Sequence, residues 1–288
     1  MEKKMQKRKI AVITGSTGGI GSAIADQLAT AGWDLVLVNR NEKKANQQKA
    51  ALTAAHPDAV VDLVQADLMD IPQIKAAALT IIAMHPHIDA LYNNSGVLTS
   101  ERVMSVQGHE SNYAVNTLAA YVMIQALRPA LRRDSRDTNS MVVNTTSSAH
   151  NAAKSLDTET LSNPEVIGGL TGAYATTKLA LTTMGTAMAD ALQGEGIMVR
   201  SVCPGAVVTP MTKTSNAMPG ILKLFVPLLF NAPDKQAAKM IHAAQTDSFG
   251  GRTGIYITNG KEKPLPKLAV DKDVQARLMA KLALDAAL

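Results

Sequence analysis

The chain has 288 residues, 46% of them hydrophobic and 18% charged, which is material for one sizeable α/β core or two small ones, and one is expected. Of the formal net charge of +5, the first nine residues carry +4, through Lys3, Lys4, Lys7, Arg8 and Lys9 against Glu2. The +1 left for all other residues argues against nucleic-acid binding, because such a face needs basic residues spread over the folded body. No apolar run approaches the ~18 residues of a membrane span, and the first residues lack a signal peptide's apolar core. Stable membrane insertion is therefore not expected, and a cytoplasmic location is. The single cysteine, Cys203, has no partner for an internal disulfide and fits a reducing compartment. Its place in an apolar run beside Pro204 reads as packing.

Residues 1–8 read as a disordered basic tail and 9–288 as a single domain. Lys9 to Thr14 is a short apolar strand ending in a glycine-rich turn, after which Ile20, Ile24, Ala25 and Leu28 recur at helical spacing until Gly32. A buried strand from Asp34 to Asn39, a polar helix from Glu42 to Ala55 and a strand from Ala59 to Gln65 follow. The alternation continues with a helix from Ile71 to His85, a strand from Ile88 to Tyr92 and a long helix from about Gly108 to Leu131. Strands Met141 to Asn144 and Met198 to Cys203 flank a helix carrying Tyr174 and Lys178; a strand from Gly254 to Thr258 and a helix from about Asp271 close the chain. Such alternation predicts an α/β fold of three layers, a doubly wound parallel sheet of the Rossmann type.

The turn reads Thr14-Gly15-Ser16-Thr17-Gly18-Gly19-Ile20-Gly21. Placed between a first strand and an amphipathic helix, it suits a pyrophosphate held on backbone N–H groups at a helix N-terminus, where a Cβ would keep the phosphates away. The second strand ends in Asn39-Arg40, where an NAD site usually has a carboxylate. A neutral residue followed by a guanidinium favours the 2′-phosphate of NADP(H) over NAD(H); the other reading makes Arg40 a solvated loop residue of an enzyme that accepts both.

Tyr174 and Lys178 stand four apart, one helical turn from each other. An ammonium beside a phenol lowers the tyrosine pKa and makes it usable as an acid or base. With these residues in order, the chain resembles the short-chain dehydrogenase/reductase family from about residue 9 to residue 260. The resemblance places Asp67-Leu68 at the adenine and makes Asn93-Asn94-Ser95-Gly96 the family's Asn-Asn-Ala-Gly segment. It further implies a catalytic set of Asn116, Ser147, Tyr174 and Lys178, and nicotinamide contacts from Pro204, Gly205, Val207 and Thr209. A gapless reading of Val143-Asn144-Thr145-Thr146-Ser147 selects Ser147, with its neighbour Ser148 as the alternative. In the family's manner Tyr174 would protonate a carbonyl oxygen, Ser147 stabilise it, Lys178 bind the nicotinamide ribose, and Asn116 hold a water linking Lys178 to solvent.

The long Ser147–Tyr174 separation and the ending GIYITNGKEKPLPKLAVDKDVQARL resemble the retinol-dehydrogenase-like branch, which implies an NADP(H)-linked enzyme for lipophilic alcohols, aldehydes or ketones. Thr17-Gly18 and Ser95 depart from that branch. Residues 211–233, with Met218, Ile221, Leu222, Leu224, Phe225, Val226, Leu228, Leu229 and Phe230, suggest a lid over an apolar pocket, a membrane-touching segment or an ordinary packed helix. No histidine has companions at metal-ligand spacing, so no metal is expected. The family resemblance implies a homodimer or homotetramer built through the helices at 116–131 and 176–192. A non-catalytic NADP(H)-binding sensor or interaction protein of the same fold is the competing reading, and the complete Asn, Ser, Tyr, Lys set argues against it.

Overall fold

A computed structural model describes residues 8–133, 139–205 and 232–287. Its centre is one eight-stranded sheet in the order β3-β2-β1-β4-β5-β6-β7-β8. The strands are β1 (Ile10–Thr14), β2 (Asp34–Asn39), β3 (Val61–Gln65), β4 (Ala90–Asn93), β5 (Ser140–Thr145), β6 (Ile197–Cys203), β7 (Ile255–Thr258) and β8 (Lys261–Lys263). All neighbours run parallel except β8, which turns back antiparallel on β7. β1 pairs with both β2 and β4, so successive crossovers leave it in opposite directions and a crevice opens at its carboxyl end.

Alternation along the strands divides the core. Val12, Val36, Leu91 and Val142 face one layer, formed by α3 (Ile71–Met84), α5 (Ala119–Leu131) and α6 (Ala173–Gln193). Ala11, Ile13, Leu37 and Val143 face the other, with α1 (Gly19–Thr30) and α7 (Pro233–Ala243). α2 (Glu42–Ala55) matches its predicted span: Asn41 caps it by accepting from the Lys44 N–H at 2.9 Å. Arg200, buried in the middle of β6, has no carboxylate within bonding distance among the described residues. Instead it donates to the carbonyls of Ala243, Gln245, Thr246, Ser248 and Arg252 and to the Ser248 hydroxyl, which satisfies the guanidinium and fixes the turn after α7.

Three expectations change. The single helix expected from 108 to 131 is α4 (Ser111–Tyr113), a π-wound turn at Ala114–Leu118, and α5. β8 was not anticipated. The faces of α5 and α6 expected to pair with a second subunit are covered by the chain itself: α8 (Lys267–Val270) and α9 (Lys272–Ala286) lie on them, with Ala269, Val274, Leu278 and Leu282 buried in the same core as Leu118, Ile124, Leu179 and Met184. Tyr113, Leu127 and Leu181 are thus buried without a partner subunit. Among the described residues no helix is long and apolar enough to cross a membrane. Residues 1–7 of the expected tail, Val207, Thr209 and residues 211–231 of the expected lid lie outside the described residues; Pro233 opens α7.

Candidate active site

A cavity of about 770 Å³ lies over the carboxyl ends of β1, β2, β4, β5 and β6, within the usual range for a small-molecule or cofactor site. Its first wall is the glycine turn. Gly15, Gly18, Gly19 and Ile20 line it, and α1 begins there with neither a side-chain cap nor an acidic residue in its first turn. The first amides of that helix therefore lack side-chain acceptors and suit an anion. Two glycines are required for closure of the turn. Gly15 sits at φ +67, and a Cβ on Gly21 would come within 2.5 Å of both Asn94 Nδ2 and the Gly15 carbonyl. Asn94 braces the turn by donating to the carbonyls of Thr14 and Gly15, both at 3.1 Å.

Several expected cofactor contacts also bond within the protein. Ser16 is buried; its hydroxyl donates to Gln48 and accepts from the Asn39 amide, each at 2.8 Å. Asn39 forms cavity wall, but its amide is committed to Ser16. Thr17 and Gly21 are in the turn without lining the cavity, and Asn93 is buried behind it, donating to Asn144 Oδ1 at 2.9 Å. At the rim Arg40 is largely exposed, 72% by its side chain, and stands 3.5 Å from the Asp67 carboxylate. Asp67, Leu68 and Gly96 line the cavity, as do Pro204 and Gly205 opposite.

Ser147, Tyr174 and Lys178 meet on this cavity from β5's end and α6. Tyr174 is nearly buried, and burial pushes its phenol above the ordinary value, while the Ser147 side chain pulls the other way. The expected lowering by Lys178 is therefore not what the cofactor-free geometry gives: the ammonium is over the ring at 5.8 Å from its centroid, and desolvation of the phenolate dominates. Lys178 is 3% exposed and donates to the Thr145 carbonyl at 2.8 Å. Burial brings its own pKa from 10.5 down to about 8. Of the two serines, Ser147 is half-buried and accepts from the Ala149 N–H at 3.2 Å, whereas Ser148 is exposed and uses its N–H on Cys203 Sγ.

Asn116 stands behind the wall, in the π-wound turn. Its Oδ1 accepts from the Val97 N–H at 2.8 Å, and its Nδ2 donates to the Val97 carbonyl at 3.0 Å and to Thr177 Oγ1 at 3.3 Å. Both Nδ2 hydrogens are thereby used, while Oδ1 keeps a second lone pair that could hold a water. What it does is tie the cavity strip at Val97 to α6, between Tyr174 and Lys178.

Cys203 is buried, as its apolar run predicts, yet it lines the cavity and its sulfur accepts from the N–H groups of Ser148 and Gly205 at 3.2 and 3.4 Å. Its position at the carboxyl end of a strand, where α/β crevices open, was the available signal. Leu98, Ala149, Ala152 and Leu170 add apolar lining to the cavity that no motif announces.

The family model for short chain dehydrogenases matches residues 9–158 and 162–220. The chloroplastic short-chain dehydrogenase TIC 32 B of Brassica napus is 27% identical over 278 residues, covering 94% of this chain and 87% of that protein. Mouse retinol dehydrogenase 12 is 27% identical over 270 residues, covering 94% and 84%, so the similarity extends to the retinol-dehydrogenase-like branch. Among solved structures, the RhlG/NADP active-site complex of Pseudomonas aeruginosa superposes with a TM-score of 0.70 at 26% identity, over 88% of this chain and 95% of that one.

Proposed function

Because the chain belongs to the short-chain dehydrogenase family, an oxidoreductase family, we propose that it uses NADP(H) to interconvert an aldehyde or ketone and the alcohol of a lipophilic small molecule. One observation carries the reading: the uncapped start of α1 and the side chains of Ser147, Tyr174 and Lys178 open on the same cavity. The glycine turn and the acceptor-poor amides of α1 fit a dinucleotide pyrophosphate. When bound, the nicotinamide supplies a hydride to the carbonyl carbon. Tyr174, kept protonated by burial, donates its proton to the carbonyl oxygen. Ser147 hydrogen-bonds that oxygen, which is worth about 3 kcal/mol of barrier lowering. Lys178 spends one N–H on Thr145 and has two for the ribose hydroxyls. Asn116 keeps the Val97 strip and α6 in register.

Preference for NADP(H) rests on Arg40 as the cation at the rim and on the neutral Asn39 beside it; a lower Michaelis constant for NADH than for NADPH would overturn it. Preference for lipophilic substrates rests on the apolar lining from Leu98, Ala149, Ala152 and Leu170 and on the likeness to a retinol dehydrogenase. The reading includes a cytoplasmic location and a homodimer or homotetramer, the latter through a surface other than the covered α5–α6 face; light scattering tests it. A sensor without catalysis would have no use for a phenol and an ammonium buried side by side. The deciding experiment follows NADPH absorbance across aldehydes and ketones of rising chain length. Tyr174→Phe should abolish turnover with NADPH binding nearly intact, and substantial residual activity would remove the mechanism.

A further inference from the structure

Tyr113 ends α4 with its ring buried, and its hydroxyl donates to Asp285 Oδ2 at 2.7 Å across 172 residues of sequence. Asp285, in the last turn of α9, is itself buried, and its Oδ1 accepts from Lys281 Nζ at 2.7 Å one turn earlier. The carboxylate thus has a cation and a phenol as partners, and both bonds are charge-assisted. Burial and the Asp285 charge raise the Tyr113 pKa, so the phenol stays a donor.

The π-wound turn at Ala114–Leu118 begins at the next residue. Such winding is rare within α-helices and recurs at functional sites; it persists only where its surroundings hold it. Here Glu110, fully buried, accepts from the N–H groups of Asn112 and Tyr113 at 2.9 and 3.4 Å, and Thr117 Oγ1 donates to the Thr177 carbonyl at 2.8 Å. The Tyr113 hydroxyl adds a tether to α9. A slip of one residue toward regular α winding turns a side chain by about 100°, which would take Asn116 off Val97 and Thr177.

We propose that Asp285 is a positioning residue for the reaction: by holding Tyr113 it fixes the π-wound turn and, through Asn116, the alignment of the Val97 strip with the helix carrying Tyr174 and Lys178. The inference rests on the reading of this cavity as the active site. Its test uses the full chain with Tyr113→Phe, which removes one oxygen and leaves the ring in the core, and with Asp285→Leu. Amide hydrogen exchange at residues 114–118 of the cofactor-free protein should quicken at least tenfold, on the order of one bond's opening equilibrium, with exchange in α1 unchanged. In steady-state assays kcat should fall about tenfold while the KM for NADPH stays within about twofold, as for an interaction that aligns the reacting groups rather than binding the dinucleotide. A variant that melts earlier but keeps wild-type exchange at 114–118 and wild-type kcat would overturn the proposal. If Asp285→Leu does not fold, Tyr113→Phe decides. A wild-type chain without oxidoreductase activity defeats the functional reading instead, and the exchange measurement then rules on the tether alone.

Discussion

Replacing Lys178 with methionine is expected to yield a protein that is inactive and more stable. The native state holds this ammonium almost out of water with one hydrogen bond, to Thr145, and burial lowers its pKa from 10.5 to about 8. An unfolded chain takes up the proton more readily between those values, so the native state carries the full penalty below about pH 8 and loses it as the pH rises toward 10.5. The displacement corresponds to about 3 kcal/mol. Methionine fills a similar space without charge and forfeits the Thr145 bond, a loss of about 1 kcal/mol. The net gain of about 2 kcal/mol at neutral pH should raise Tm by roughly 4–8 °C for a chain of this size. Scanning calorimetry without dinucleotide at about pH 7 and about pH 10 reads both the gain and its disappearance as wild-type Lys178 deprotonates. A Tm that does not rise at neutral pH, or rises equally at both, would show that the buried ammonium is not the penalised group.

Gly21→Ala places a methyl group 2.5 Å from Asn94 Nδ2 and from the Gly15 carbonyl, so the turn must open; a loss of about 1–3 kcal/mol is expected in urea unfolding, together with weaker dinucleotide binding, and an unchanged midpoint would refute the crowding. Ser147→Ala should slow turnover by about 10²–10³-fold, whereas Ser148→Ala, which removes an exposed hydroxyl, should stay within a few-fold; the reverse result would shift the assigned register by one residue.

What was legible in the sequence was mostly local. α2 was readable end to end because Asn41 caps it and Ala, Lys, Gln and Glu fill it. α7 carries its own start signals, Pro233 at its first position and Asp234 in its first turn, although Pro233 also ends the apolar stretch expected as a lid. β8 has no apolar alternation, since its pairing with β7 is made by backbone groups. Nothing local specifies the π-wound turn, since the weak helix formers Val115, Asn116 and Thr117 do not set its winding; the bonds of Asn116 and Thr117 to Val97 and Thr177 accompany it. At the site, residue type and order pointed to Ser147, Tyr174 and Lys178. They could not give the phenol's pKa, because that depends on how completely α6 and the end of β5 exclude water from it.

Sequence by itself determined the alternation of strands and helices, the glycine turn and the one-turn spacing of phenol and ammonium, because each is fixed by neighbours along the chain. Tertiary structure alone decided that α8 and α9 cover α5 and α6, that Ser16 and Asn39 bond each other, and that Cys203 faces the cavity. These depend on contacts between residues far apart in sequence, where burial and the pairing of polar groups are settled only once the chain has closed on itself.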